Sequence, residues 1–188
     1  MAPLINSFAL ALLTVQSIFN PDIPCEKITK PLVLDGNYSS IMGKWIMVES
    51  VSEGMVGMVL QTMESHWMEI SPGTKNDTVL LRQAISIEKE CTLRDPQEFP
   101  LQKSAVYDPV SDGIIQNYLL PSCSNCLTGY FRLDNEDYPT RVLLLFSKER
   151  TVSKRTRKLY RKQVKCMGFH DPYFTVYDAE SELCPVEE

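Results

Sequence analysis

Gly43-Lys44-Trp45-Ile46-Met47-Val48-Glu49-Ser50-Val51 opens the first long β-type run of the chain. Glycine permits a tight approach, a tryptophan two residues later fills a large internal volume, and the run continues as a strand to about Glu53. Strict alternation puts Trp45, Met47, Glu49 and Val51 on one face and Lys44, Ile46, Val48 and Ser50 on the other. Gly-x-Trp alone is a weak signal, because any β protein can bury a tryptophan early in a strand. Its meaning depends on the rest of the chain.

Downstream of it lies a succession of short β-type runs. They fall at Ser65–Ser71, Thr78–Ile87, Cys91–Arg94, Phe99–Tyr107, Gly113–Leu120, Leu127–Leu133 and Arg141–Ser147. Pro72-Gly73, Asn76-Asp77, Asp108-Pro109, Asp112-Gly113 and Pro121-Ser122 punctuate them with hairpin chemistry. With the first run that makes eight strands. Only at Thr151–Lys165 does the period become helical, with Val152, Thr156, Leu159, Tyr160 and Val164 on one face and a start capped by Thr151 or Ser153. A ninth strand, Tyr173–Tyr177, comes last. Between the first two strands, Gly54-Met55-Val56-Gly57-Met58-Val59-Leu60-Gln61 reads as an uncharged, Met-rich loop that either covers a pocket or touches a partner.

The 188 residues, 44% hydrophobic and 23% charged, suit one domain with a real core. Residues 4 to 19 are uncharged and mostly apolar, the length of a signal-peptide core and short for a membrane span. The expected leader is 1–17, extending at most to about 20, with 18–188 as the mature domain; an N-terminal core helix or an uncleaved anchor is the alternative. The arm over 20 to 36, with Pro21, Pro24 and Pro31, is expected to be extended and irregular. Six cysteines behind such a leader argue for three disulfides in an oxidising compartment. Sequons at Asn37 and Asn76 fit secretion and a glycoprotein. Lys148–Lys165 carries nine basic residues and one acidic one, +8 against −13 elsewhere, for a net −5, which argues against a nucleic-acid partner.

Eight up-and-down strands, one helix and a last strand form the element order of the lipocalin family, an all-β eight-stranded antiparallel barrel with a C-terminal α-helix packed outside. In that context Gly43-Lys44-Trp45 resembles the family's opening motif. The stretches Ile41–Trp45, Asn76–Arg82, Leu159-Tyr160 with Cys166, Tyr177-Asp178 and Cys184-Pro185 resemble the orosomucoid-like branch with its fish toxin-binding members; apolipoprotein M is a near relative. The resemblance implies disulfides Cys25–Cys166 and Cys91–Cys184, while Cys123 and Cys126 lie close enough to close locally. A family turn of Thr-Asp-Tyr type is not recognisable, and Cys123–Cys126 occupies its region. The basic residue that covers the tryptophan is either Lys148 or Arg150.

Carried over from this resemblance, Trp45 is the barrel floor, Met55 and Met58 belong to the lid, and the ligand-facing set is Met47, Glu49, Val51, Met68, Ile70, Leu81, Gln83, Ile85, Phe131, Leu133, Val142, Leu144 and Phe146. The phase of several strands stays open, since a one-residue slip reverses every side chain. Glu49 either anchors a cationic or hydroxyl-bearing ligand, or it reaches solvent at the mouth or pairs with a basic side chain; His66 reads as a structural histidine. The chain has two histidines, no Gly-x-Ser-x-Gly and no His-x-x-x-His, so an enzyme is not expected, and neither cofactor nor metal is required. The expectation is a secreted, extracellular, monomeric carrier of small hydrophobic or amphiphilic molecules, a xenobiotic or toxin. A lysolipid carrier, or polyanion or membrane-surface binding through the basic helix, is the alternative.

Overall fold

The computed structural model of the chain describes residues 23–34, 38–102, 105–106, 109–110, 113–134 and 139–185. The expected leader and Asn37 lie outside the described residues; Asn76 is exposed in a turn.

Cys25–Thr29 forms a short helix, α1, where the sequence predicts irregular chain. Pro24 precedes it with φ −58°, and a proline obstructs the interior of a helix rather than its start. Strand β1, Gly43–Glu53, comes after a single 3₁₀ turn. The Met-rich segment is also helical: α2 spans Val56–Thr62 and leads directly into β2, Met63–Pro72. Then come β3 at Thr78–Ile87 and β4 at Glu90–Gln102. The sequence predicts two runs over the span of β4. It is one strand because a bulge opposite Leu81–Gln83 absorbs Asp95 and Pro96, a position where the sheet tolerates proline.

Two-residue strands β5, Ala105–Val106, and β6, Pro109–Val110, precede β7 at Gly113–Leu120, β8 at Cys126–Asp134 and β9 at Thr140–Ser147. Helix α3, Lys154–Cys166, and β10, Tyr173–Val176, complete the order. All pairings are antiparallel and run β1-β2-β3-β4-β5-β7-β8-β9, and β1 pairs β9 as well, so eight strands close a ring. Strand β10 adds to β1 at Glu49–Ser52, the part of that edge that β2 leaves unpaired.

Among the described residues three apolar clusters result. One fills the barrel around Trp45, Met47, Val79, Leu101, Leu127, Val142 and Phe146. A second joins Val51, Leu143 and Leu145 on the outside of the wall to Tyr160 and Val164 of α3. The third lays Trp67 under the C-terminal tail at Cys184, whose carbonyl accepts from the indole N–H at 2.8 Å. Ser153 caps α3 by accepting the Thr156 N–H, and Gln163 donates to the Ile28 and Pro121 carbonyls at 2.8 Å each. The disulfides Cys25–Cys166, Cys91–Cys184 and Cys123–Cys126 are the expected pairs. Among the described residues no helix is long and apolar enough to cross a membrane.

Candidate functional site

Strand β1 decides which side chains enter the barrel, and burial alone cannot reveal its phase, because nearly every residue from Trp45 to Ser52 is buried. Register can. Trp45 stands opposite Met68 and Met47 opposite Phe146, but the next partner on β9, Leu145, belongs to Glu49. Val48 is therefore an extra residue, and the parity of the strand reverses at this bulge. Beyond it Ser50 and Ser52 match the inward Leu144 and Val142, while Glu49 and Val51 match the outward Leu145 and Leu143.

Glu49 and Val51 are thus not on the ligand-facing wall where unbroken alternation puts them. Val51 packs under α3. Glu49, 0% exposed, holds that helix electrostatically: Oε1 accepts from Arg161 Nε at 3.1 Å and Oε2 lies 3.2 Å from Arg157 Nε. The second contact has ion-pair distance without hydrogen-bond alignment. Burial, with the Glu49 charge beside it, pushes the Tyr160 hydroxyl well above its ordinary range, and that hydroxyl donates to the Leu143 carbonyl.

The other sequence-predicted positions share one face. Met68–Gln83, Ile70–Leu81 and His66–Ile85 are cross-strand pairs, and Phe131–Val142 continues the wall on β8 and β9. Leu133 lies two residues beyond Phe131 on the same side of β8, and Leu144 and Phe146 sit with Val142 in the interior cluster. Met68, Ile70, Leu81, Gln83, Ile85, Phe131, Leu133 and Leu144 point inward yet keep intermediate exposure, so they border open space rather than a filled core. Val79, Phe99, Leu101 and Leu127 join them and were missed; for Val79, Phe99 and Leu101 the period-2 spacing from Leu81 and along β4 was the available signal.

Polar groups on this face are few. His66 Nε2 lies 3.2 Å from Gln83 Oε1, and the His66 ring meets Phe146 edge-on at 5.5 Å between centroids. Arg94 stands opposite Gln83. Burial, opposed by the Gln83 hydrogen bond and reinforced by the positive charge of Arg94, holds His66 down to about 4. Among the described residues no group of three or more His, Cys, Asp or Glu is arranged to hold a metal.

At the floor, Trp45 donates to the Ile41 carbonyl at 2.8 Å, and Lys148 Nζ covers its ring at 5.0 Å. Lys148, not Arg150, is therefore the covering base; Arg150 donates to the Ala179 and Ser181 carbonyls of the tail. At the other end, Leu60 of α2 joins the interior cluster, and its carbonyl accepts from Tyr177 Oη at 3.0 Å. Met55 and Met58, expected as the covering residues, are 55% and 52% exposed. A recess of about 520 Å³ between the tail and Glu64, Ser86, Lys89 and Cys91 lies outside the barrel and shares no residue with its inward face.

A closed ring of eight antiparallel strands with a plugged floor, an outer helix and a terminal strand on β1 is the lipocalin fold. The siderocalin Ex-FABP superposes with a TM-score of 0.64 at 18% identity, over 80% of this chain and 97% of that one. A dog lipocalin allergen gives 0.60 at 14%, over 78% and 99%. Among curated sequences the chain is similar to saxitoxin and tetrodotoxin-binding proteins 2 and 1 of Takifugu pardalis, 24% identical to each over 193 aligned residues and 93% of its own length. The chain spans about half, 48%, of the length of these relatives. No family model matches it.

Proposed function

We propose that the chain is a secreted carrier that holds one small hydrophobic or amphiphilic molecule inside its barrel. The observation that carries this reading is the set of inward side chains that stay partly exposed within a closed ring, Met68, Ile70, Leu81, Phe131 and Leu144 among them. A wall of soft apolar groups with a few polar ones is how small-molecule sites are built: area removed from water supplies affinity and the polar groups supply choice. Three disulfides fit an extracellular setting. The Takifugu relatives are named for binding saxitoxin and tetrodotoxin. Their similarity supports carriage of a toxin or other xenobiotic ahead of a lysolipid. Polyanion or membrane binding through α3 is the weaker alternative, because Arg157 and Arg161 are committed to Glu49.

Native mass spectrometry of the protein secreted from eukaryotic cells tests the proposal. A co-purifying molecule at one per chain, lost on delipidation and excluded by Leu144→Trp, is the expected result. A chain that binds no apolar probe at any concentration refutes it.

A further inference from the structure

We propose that His66 and Gln83 form a hydrogen-bonding anchor inside the barrel that selects uncharged amphiphiles bearing a hydroxyl. The inference rests on the carrier reading and goes beyond it by naming the ligand chemistry.

His66 is 7% exposed and lies on the inward face, one cross-strand pair from Met68–Gln83 toward α2. Its Nε2 is satisfied by Gln83 Oε1 at 3.2 Å, whereas Nδ1 is buried without a partner. An amide oxygen accepts, so Nε2 carries the proton and Nδ1 presents a bare lone pair. Phe146 meets the His66 ring edge-on and Ile85 is its cross-strand partner, and neither offers a donor. Buried acceptors in folded proteins almost always have a donor, and this one, left bare on a largely apolar wall, is free to take a donor from a ligand. A ligand hydroxyl can supply that donor while its apolar body lies against Met68, Phe131 and Leu144.

Charge sets the second half of the specificity. With Glu49 turned outward, the described inward positions below the mouth carry no carboxylate, and the charged group on that face is Arg94. A cationic ligand finds no counter-ion there and meets Arg94 beside Gln83. A neutral hydroxyl meets neither cost.

Competition against 1,6-diphenylhexatriene, an apolar fluorophore without polar atoms, separates the two levels. If the fluorophore does not bind, the carrier reading itself fails. If it binds, 1-decanol is expected to displace it about tenfold better than decyl methyl ether, the worth of one buried hydrogen bond, and decyltrimethylammonium is expected to compete least. In His66→Phe the fluorophore still binds and the alcohol preference disappears; in Gln83→Leu the preference shrinks. Should His66→Phe fail to fold, ¹⁵N-histidine spectra of the unaltered protein decide, since the chain has two histidines. Decanol is expected to shift His66 Nδ1 and leave His170 unmoved. Equal competition by alcohol and ether, a cation that outcompetes the alcohol, or an Nδ1 signal indifferent to decanol overturns the proposal.

Discussion

Two buried polar residues, Glu49 turned outward on β1 and His66 turned inward on β2, have opposite jobs. Glu49 ties α3 to the barrel, so Glu49→Gln is expected to lower stability by about 1–2 kcal/mol in urea titrations. The full cost of orphaning a buried charge does not apply, because Arg157 and Arg161 are partly exposed and can turn to water. Affinity for apolar probes is expected to stay unchanged, and a large loss of affinity would return Glu49 to the cavity. His66 is expected to act through pH. Burial lowers it from its ordinary 6.5 to about 4, so between those values the unfolded chain takes up a proton that the fold refuses. Its contribution is fully present above pH 6.5, declines as the pH falls, and is gone below about 4, a difference of roughly 3 kcal/mol. Urea midpoints measured from pH 7.5 to 4 fall less steeply in His66→Phe; parallel profiles would refute the assignment.

At the scale of elements, helix α2 is the segment that sequence reasoning placed correctly and described wrongly. A Met-rich run with two glycines reads as a loop, yet Leu60 has a barrel interior to enter and Gly57 a ring to pass. A Cβ on Gly57 would come 2.3 Å from Tyr173 Cδ2 and 2.8 Å from Ser52 Oγ. Gly57→Ala is therefore expected to push α2 away from β10 despite a gain in helix propensity, releasing bound diphenylhexatriene several-fold faster in stopped-flow dilution. Met58→Ala, at a solvent-facing position of the same helix, is the control with an unchanged rate. The β1 bulge sets the same limit on foresight. Trp45, Met47, Val142, Leu144 and Phe146 were legible because alternation holds through them, whereas Val48 interrupts it with no glycine or proline to announce an extra residue. Glu49 and Val51 were misassigned for that reason alone. Asp95-Pro96 did announce a break, and the sheet absorbed it as a bulge instead of ending the strand.

For the whole molecule, the order of elements was legible because hairpin turns are local, and the closure that makes them a barrel is supplied by contacts far apart in sequence. Strand β1 meets β9 and β10, and α1 meets α3. The disulfides divide along the same line. Cys25–Cys166 spans 141 residues and fixes α1 to the end of α3, and Cys91–Cys184 spans 93 and holds the tail over Trp67. Cys123–Cys126 spans three and joins residues that a turn already brings together. If cross-links act by restricting the unfolded chain, each long bridge contributes about 5 kcal/mol and the short one about 2. Paired Cys→Ser substitutions, compared by guanidinium denaturation, are expected to rank in that order. The Cys25/Cys166 pair should do more than lower the midpoint: with α1 released, Gln163 loses the Ile28 carbonyl it now holds, and α3 should exchange its amide hydrogens faster than the strands do. Equal losses for the long and short bridges would mean that the unfolded chain is already held compact and that the barrel does not depend on its long cross-links for closure.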